Sequence, residues 1–345
     1  MGGGLRGGCG GLAMAKDRRS IVLWALAAAL LILFALRFTA IIQAFFMTFL
    51  ATLFAIFLYG SGRRLSELIG WHKKAWIIII LVVASSGLVT AAIFSGDAIA
   101  RQLHELGTQV RPALDRAAAY LSQFWWGWQI VSAVEGFEIS KLFPQIRDFV
   151  GVIVSSAVGV VVVIVGGVFM AMEPERYRKG LMWLSPEGKE KEFLENIEYM
   201  GDLLYRWTIG RLASMAAVAV LTLIGLLIVG SPLAILLALF AGLLSFIPNF
   251  GPLSSAIVAA LVGLSVSPLL AAWIILIFIV VQVIEGNLIT PLIQRRAVHV
   301  PAGLIIIVQA LMGLSFGLLG LLVATPLMVA VIALVKGVRP APASV

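Results

Sequence analysis

Long apolar runs separated by short polar and basic stretches recur from Ile21 to the C-terminus. Runs from about Ile21 to Leu36, Phe38 to Tyr59, Ala75 to Phe94, Phe149 to Met172 and Thr208 to Val229 approach or reach the roughly 20 residues that a helix needs to cross a bilayer. After "GSP" at Gly230 the pattern changes. A short run from about Leu233 to Ile247 meets the stretch "LLSFIPNFGPLSS", a second short run covers about Leu253 to Val266, and a full-length run follows from about Leu269 to Ile284. Pro248, Gly251 and Pro252 remove donors and loosen the turn, a combination that an uninterrupted membrane helix avoids. The last apolar stretch, opened by Pro301, is longer than one span needs and carries Gly313, Gly317 and Gly320 in its middle and Pro326 beyond. Both regions are expected to be interrupted helices in an all-α bundle.

Two polar intervals have helical periodicity. In residues 97–148, Leu103, Leu106, Val110, Leu114 and Leu121 recur at helical spacing, and "FWWGW" places Trp125, Trp126 and Trp128 where an aromatic anchor at headgroup level is expected. In residues 173–206, Phe193, Ile197, Met200 and Leu204, continued by Trp207, form one apolar stripe, expected to lie against the membrane or a neighbouring subunit. The "GSGRRLSELIGWHKK" interval reads as a loop.

Composition agrees with a polytopic membrane protein. Hydrophobic residues make up 61% of the 345 positions and charged residues 12%, and the mean hydropathy is +1.07, beyond what a soluble domain of this length shows. The net charge of +8 comes from short clusters beside the apolar runs, which fits retention of cytoplasmic loops rather than nucleic-acid binding. Cys9 alone forms no intrachain disulfide. The glycine-rich opening has nothing to pack, and translation from Met14 is the expectation that N-terminal sequencing beginning at Met1 would remove.

No phosphate-binding G-x-x-x-x-G-K-[ST] or H-E-x-x-H occurs, and His72, His104 and His299 fall in separate loops. No cofactor, metal or catalytic residue is expected.

Broken helices in a bilayer persist where they line a cavity or are buried by protein, so they are candidates for a solute path, with proline kinks and close glycine packing as the alternative. The polar residues favour the path. Glu285 ends an apolar run beside Gln282 and Asn287 and ahead of Pro291. A carboxylate near hydrocarbon must pair, protonate or face water, and Gln282 shares its helix face. Pairing with Arg295 or Arg296 at the cytoplasmic rim is the other reading of Glu285. Arg206 and Arg211 are expected to snorkel to the interface.

The runs "LAILLALFAGLLSFIPNFGPLSSAIVAAL" and "VVQVIEGNLITPLIQRRAVHVPAGLIIIVQALMGLSFGLLGLLVATPLMVAVIALVK" resemble the autoinducer-2 exporter family, the PerM-like permeases. The resemblance places that family's Pro-x-x-Gly-Pro break on Pro248, Gly251 and Pro252, its polar cluster on Gln282, Glu285, Asn287 and Pro291, and its glycine ladder on Gly313, Gly317 and Gly320. Pro301 and Pro326 match the prolines that flank the ladder. Asn249 stands where members often carry tyrosine, and Arg211 where glutamine is expected. The resemblance implies about eight transmembrane segments with interrupted or re-entrant helices in the C-terminal half, both termini cytoplasmic, a bacterial inner-membrane location and homo-oligomeric assembly. It further implies export of a small polar solute such as a signalling molecule, or sodium/proton antiport.

The expected organisation is a disordered N-terminus (1–20), scaffold segments with the extracytoplasmic loop (21–172), a cytoplasmic amphipathic region (173–206), a transport core (207–336) and a tail (337–345). Glu285, Gln282, Asn287 and Asn249 are the expected solute- or ion-binding residues, with H+ or Na+ as coupling ion and the lipid bilayer as surroundings. The prolines and glycines of the two breaks are the expected gates. A membrane scaffold that transports nothing is the alternative from a different class, and a channel the third.

Overall fold

The computed structural model describes residues 40–87, 157–183, 185–289 and 301–336, with single positions between 89 and 122. The expected first segment, Trp125, Trp126, Trp128, Pro291, Arg295, Arg296 and both termini lie outside the described residues. Among the described residues all regular structure is helical. Contacts divide the chain into two units, Met1–Thr48 and Phe49–Val345. Of the first unit only residues 40–48 are described, as the first turns of the helix Ala40–Ile69; the packing described below lies in the second.

Helix α1 covers Ala40–Ile69, α2 covers 73–87, α3 Ala157–Met172 and α4 Pro174–Met182. Helix α1 runs through most of the interval that the sequence reads as a loop. Its glycines are packing sites rather than punctuation: a side chain at Gly60 would strike the Tyr205 ring, and one at Gly62 would strike Ile77. Arg63 and Glu67, one turn apart, pair along the extension. Ala55, Leu58, Ile77 and Ala171 bury one another where α1, α2 and α3 meet.

Helix α5, Glu190–Ile228, is continuous over 39 residues, about 58 Å at the α-helical rise. The amphipathic stripe expected to lie against the membrane or a neighbouring subunit therefore belongs to the same rod as the fifth span. Its Leu204 and Trp207, with Leu203, are buried against Leu53, Val329, Ala330 and Ala333. The chain's own helices cover this part of the stripe. Arg64 and Arg206 both pair with Asp202, and Arg178 pairs with Glu198. Helix α5 closes in a Schellman motif at the expected "GSP": Gly230, at φ 64°, donates to the Leu227 carbonyl, and the Ser231 N–H donates to the Leu226 carbonyl.

Helices α6 (Ala234–Leu244) and α7 (Phe250–Val266) are joined by a five-residue break. Helix α8, Pro268–Ile284, starts at Ser267, whose hydroxyl accepts from the Leu270 N–H, with Pro268 at the first helical position. It continues as a π-helical turn, Glu285–Ile289. Helix α9 covers Ala302–Lys336. By length and composition Ala40–Ile69, Glu190–Ile228, Pro268–Ile289 and Gly303–Val335 could each cross a membrane, so the protein is a multi-pass helical membrane bundle. Val218 and Leu226 of α5, Leu237 and Ala241 of α6, Val258 and Val262 of α7, and Ile274 and Phe278 of α8 form the largest buried cluster.

Candidate functional site: two helical hairpins and a buried ion pair

The 11 residues of α6 and the 17 of α7 span about 16 and 26 Å, short of a ~30 Å hydrocarbon core. They pack on each other through Leu237, Ala241 and Val258, so the chain doubles back at the break. At the turn Asn249 has φ 65° and ψ −54°, and the Phe250 N–H donates to the Pro248 carbonyl. This is the positive-φ γ-turn, a rare and strained conformation. Gly251 must lack a side chain, because a Cβ there would lie 1.8 Å from the Leu244 carbonyl oxygen. Pro252 falls in the first turn of α7, where no helical donor is needed.

The second interruption is sharper. Helix α9 is not one span: Gly317, at φ 62° and ψ −143°, breaks it, and the two arms fold back on each other. The Gln309 amide donates to the Thr325 hydroxyl at 3.0 Å although the two lie 16 positions apart, a separation of about 24 Å in an unbroken helix. A Cβ at Gly320 would stand 2.1 Å from the Met312 carbonyl oxygen, and one at Gly313 would press on Leu321. Close approach, with Gly317 free to take a positive φ, is what the glycine ladder supplies. Pro326 lies in the returning arm.

The two hairpins share a contact. Phe246, at the first break, packs edge-to-face on Trp207 with ring centroids 5.8 Å apart. That aromatic pair belongs to the cluster holding Val329, Ala330 and Ala333 of the returning α9 arm.

Beside the first break lies a buried ion pair. Arg211 and Glu285 are 5% and 3% exposed. The Arg211 Nη1 donates to Glu285 Oε1 at 3.3 Å, and the Ser214 hydroxyl donates to the same oxygen at 2.6 Å. Arg211 and Ser214 are three residues apart on one face of α5. The Arg211 Nε reaches the Phe246 carbonyl at 3.2 Å. One guanidinium thus ties the hairpin break to the carboxylate on α8. The pairing is incomplete: Arg211 Nη2 and Glu285 Oε2 are buried without a hydrogen-bond partner. A fork-shaped donor meeting a carboxylate through one oxygen leaves one donor nitrogen and one acceptor oxygen unused.

Sequence reasoning singled out Glu285 but gave it other neighbours. Gln282 is exposed, and Asn287 is exposed with its side-chain amide donating to the Val283 carbonyl of its own helix. Three-residue spacing puts Gln282 and Glu285 within about 60° of each other, and the edge of the buried face falls between them; the π-helical turn starting at Glu285 shifts the register further. Asn249 is exposed at the tip of its turn. Arg211, expected to snorkel, is instead the centre of the site, whereas Arg206 does remain exposed, paired with Asp202. The signal available for Arg211 was its position beyond the charged stripe, inside the apolar run. One further residue had no local signal. Gln102 accepts a hydrogen bond from the Leu236 N–H at 3.0 Å across 134 positions, capping the first turn of α6, which has no side-chain cap of its own.

The pattern that defines the "AI-2E family transporter" family matches residues 21–339. Two Bacillus subtilis (strain 168) proteins are similar over 158 residues, 46% of this chain. "Putative transport protein YueF" is 28% identical over 43% of its length, and "Putative transport protein YrrI" is 25% identical over 45% of its length. The aligned segment thus spans less than half of each relative. With nearly the whole chain matched and the apolar helices of a multi-pass membrane protein in place, the chain belongs to the AI-2E transporter family.

Proposed function

We propose that the chain is a secondary carrier that exports a small polar solute across a bacterial inner membrane, coupled to proton or sodium movement, with both termini cytoplasmic and several copies assembled together. The observation that carries this reading is the guanidinium of Arg211 holding the broken-helix carbonyl of Phe246 and the carboxylate of Glu285 at once. Peptide groups freed from a helix at depth, next to a buried charge pair with spare hydrogen-bonding capacity, are the parts that a coupled carrier needs. A polar solute would take up Arg211 Nη2 and Glu285 Oε2, and a change in the charge on Glu285 would loosen Arg211 and with it the hairpin tip. The membership in a transporter family and the two relatives' names support the same reading.

The test is counterflow of candidate solutes in proteoliposomes. Glu285→Gln should lower the rate sharply while assembly, checked by gel filtration, stays intact. An unchanged rate would remove Glu285 from the mechanism. Sodium-driven proton movement with no solute present would replace export by antiport, and absence of any flux would favour a scaffold, whose function Phe193 and Ile197 variants should impair more than Glu285→Gln.

A further inference from the structure

The polar groups between the arms of α9 belong to neither the ion pair nor the break beside it. Gln309 is fully buried, 0% exposed, and with its Nε2 committed to Thr325 its Oε1 is left without a partner. A buried amide oxygen with nothing to accept from is costly. Thr325 is buried too. One residue later Pro326 lacks an N–H, so the Leu322 carbonyl, one turn earlier on the same face as Thr325, loses its helical donor. Helix carbonyls point towards the C-terminus, which directs the Leu322 oxygen at the turn holding Thr325. The fold-back at Gly317 thus brings Gln309 to Thr325, and the Leu322 carbonyl stands one turn before Thr325 on the same arm. All three oxygens are uncharged acceptors, and Thr325 is the one group among them that can also donate.

From this set we infer that α9 holds a binding site for a single dehydrated monovalent metal cation, coordinated by Gln309 Oε1, Thr325 Oγ1 and the Leu322 carbonyl. Amide, hydroxyl and carbonyl oxygens are hard ligands suited to such ions, and freed carbonyls of broken membrane helices take this role in carriers. The charge class follows from neutrality: a buried site without a carboxylate offsets one positive charge far more easily than two. Among the described residues no group of three or more His, Cys, Asp or Glu gathers to hold a divalent ion. Because Gln309 and Thr325 lie on opposite arms, equidistant from Gly317 along the chain, an ion between them would clamp the hairpin shut. The inference deepens the carrier reading by separating the cation's place from Glu285, and its test does not depend on transport.

The experiment is thermal unfolding of the full-length protein in nanodiscs, titrated with sodium, lithium or potassium chloride against choline chloride at constant ionic strength. At least one alkali cation should raise the melting temperature saturably above the choline value. Gln309→Leu should abolish that shift. Thr325→Val, which preserves side-chain shape, should weaken the apparent affinity by about tenfold or more, and Glu285→Gln should leave it within about twofold. The proposal is overturned if no alkali cation shifts the wild-type protein, or if the shift persists in both Gln309→Leu and Thr325→Val, as for a water-filled cavity. It is also overturned if Glu285→Gln alone removes the shift. Should Gln309→Leu fail to fold, the ratio of affinities between Thr325→Val and wild type decides. Failure of the carrier reading would show separately, as absence of counterflow with the cation shift intact.

Discussion

Replacing Arg211 and Glu285 together by apolar residues of similar size, Arg211→Met with Glu285→Leu, tests why the pair is there. Both side chains are buried, and they meet through one oxygen at 3.3 Å rather than as a fork. Breaking a buried pair from one side strands the other charge and typically costs about 3–5 kcal/mol. An unfolded chain in a bilayer also finds polar partners, so the lower end, about 3 kcal/mol, is expected for Arg211→Met alone. Removing both charges changes the sum. The wild-type pair carries two unpartnered polar atoms, Nη2 and Oε2, each worth about 1–3 kcal/mol of unfavourable desolvation, and it loses this along with the modest Coulombic gain of unforked geometry. The double variant should therefore match or exceed wild-type stability, by about 0–3 kcal/mol, and be inactive in counterflow. The assay is reversible unfolding by SDS titration from bicelles, run as a double-mutant cycle, beside flux in proteoliposomes. If the two single effects simply add in the double variant, the pair does not exist as described. If the double variant keeps full flux, the charges serve packing and the reasoning about coupling collapses.

Substitutions at three other positions probe the hairpins. Asn249→Gly should be tolerated or slightly stabilising because the γ-turn needs φ 65°, whereas Asn249→Val should cost about 1–3 kcal/mol, read in the same SDS titration; equal stability of the two variants would contradict the turn. Gly320→Val should prevent the close approach to Met312 and lower the melting temperature by the equivalent of at least about 1–3 kcal/mol. A benign Gly320→Val would mean that α9 is straight. Gln102→Ala removes the acceptor for the Leu236 N–H and should cost about 0.5–2 kcal/mol, seen as faster hydrogen exchange confined to the first turn of α6; exchange unchanged there would rule out the cap.

Much of this architecture was written in local signals. The "GSP" stop, the Ser267–Pro268 start and the two interrupted regions are short-range features, decided by donors missing at proline and by positive φ at glycine, so they are readable without a fold. Glu285 was likewise conspicuous as a carboxylate against hydrocarbon. What escaped was set by tertiary neighbours. Gly60 and Gly62 look like loop residues until Tyr205 and Ile77 are seen to occupy the space that side chains would need. Arg211 looked like an interfacial arginine because nothing in residues 206–211 encodes that Phe246 and Glu285 will close over it. The exposure of Gln282 beside a buried Glu285 depends on where one helix face ends, and spacing alone gives only an angle. The sequence did show that the last apolar stretch was too long and interrupted, but not that its arms would lie side by side.

Helix α5 bears on how such a protein could move. A rod of 39 residues without proline, kink or register change has no place to bend between its charged N-terminal end and Arg211, and helices that bend sharply do so at such defects. Any displacement that opens a passage must then be assigned to the segments leaning on this rod. The γ-turn at Asn249 and the fold at Gly317 are the joints that the described backbone offers, and the long helix is the fixed rail against which they would slide.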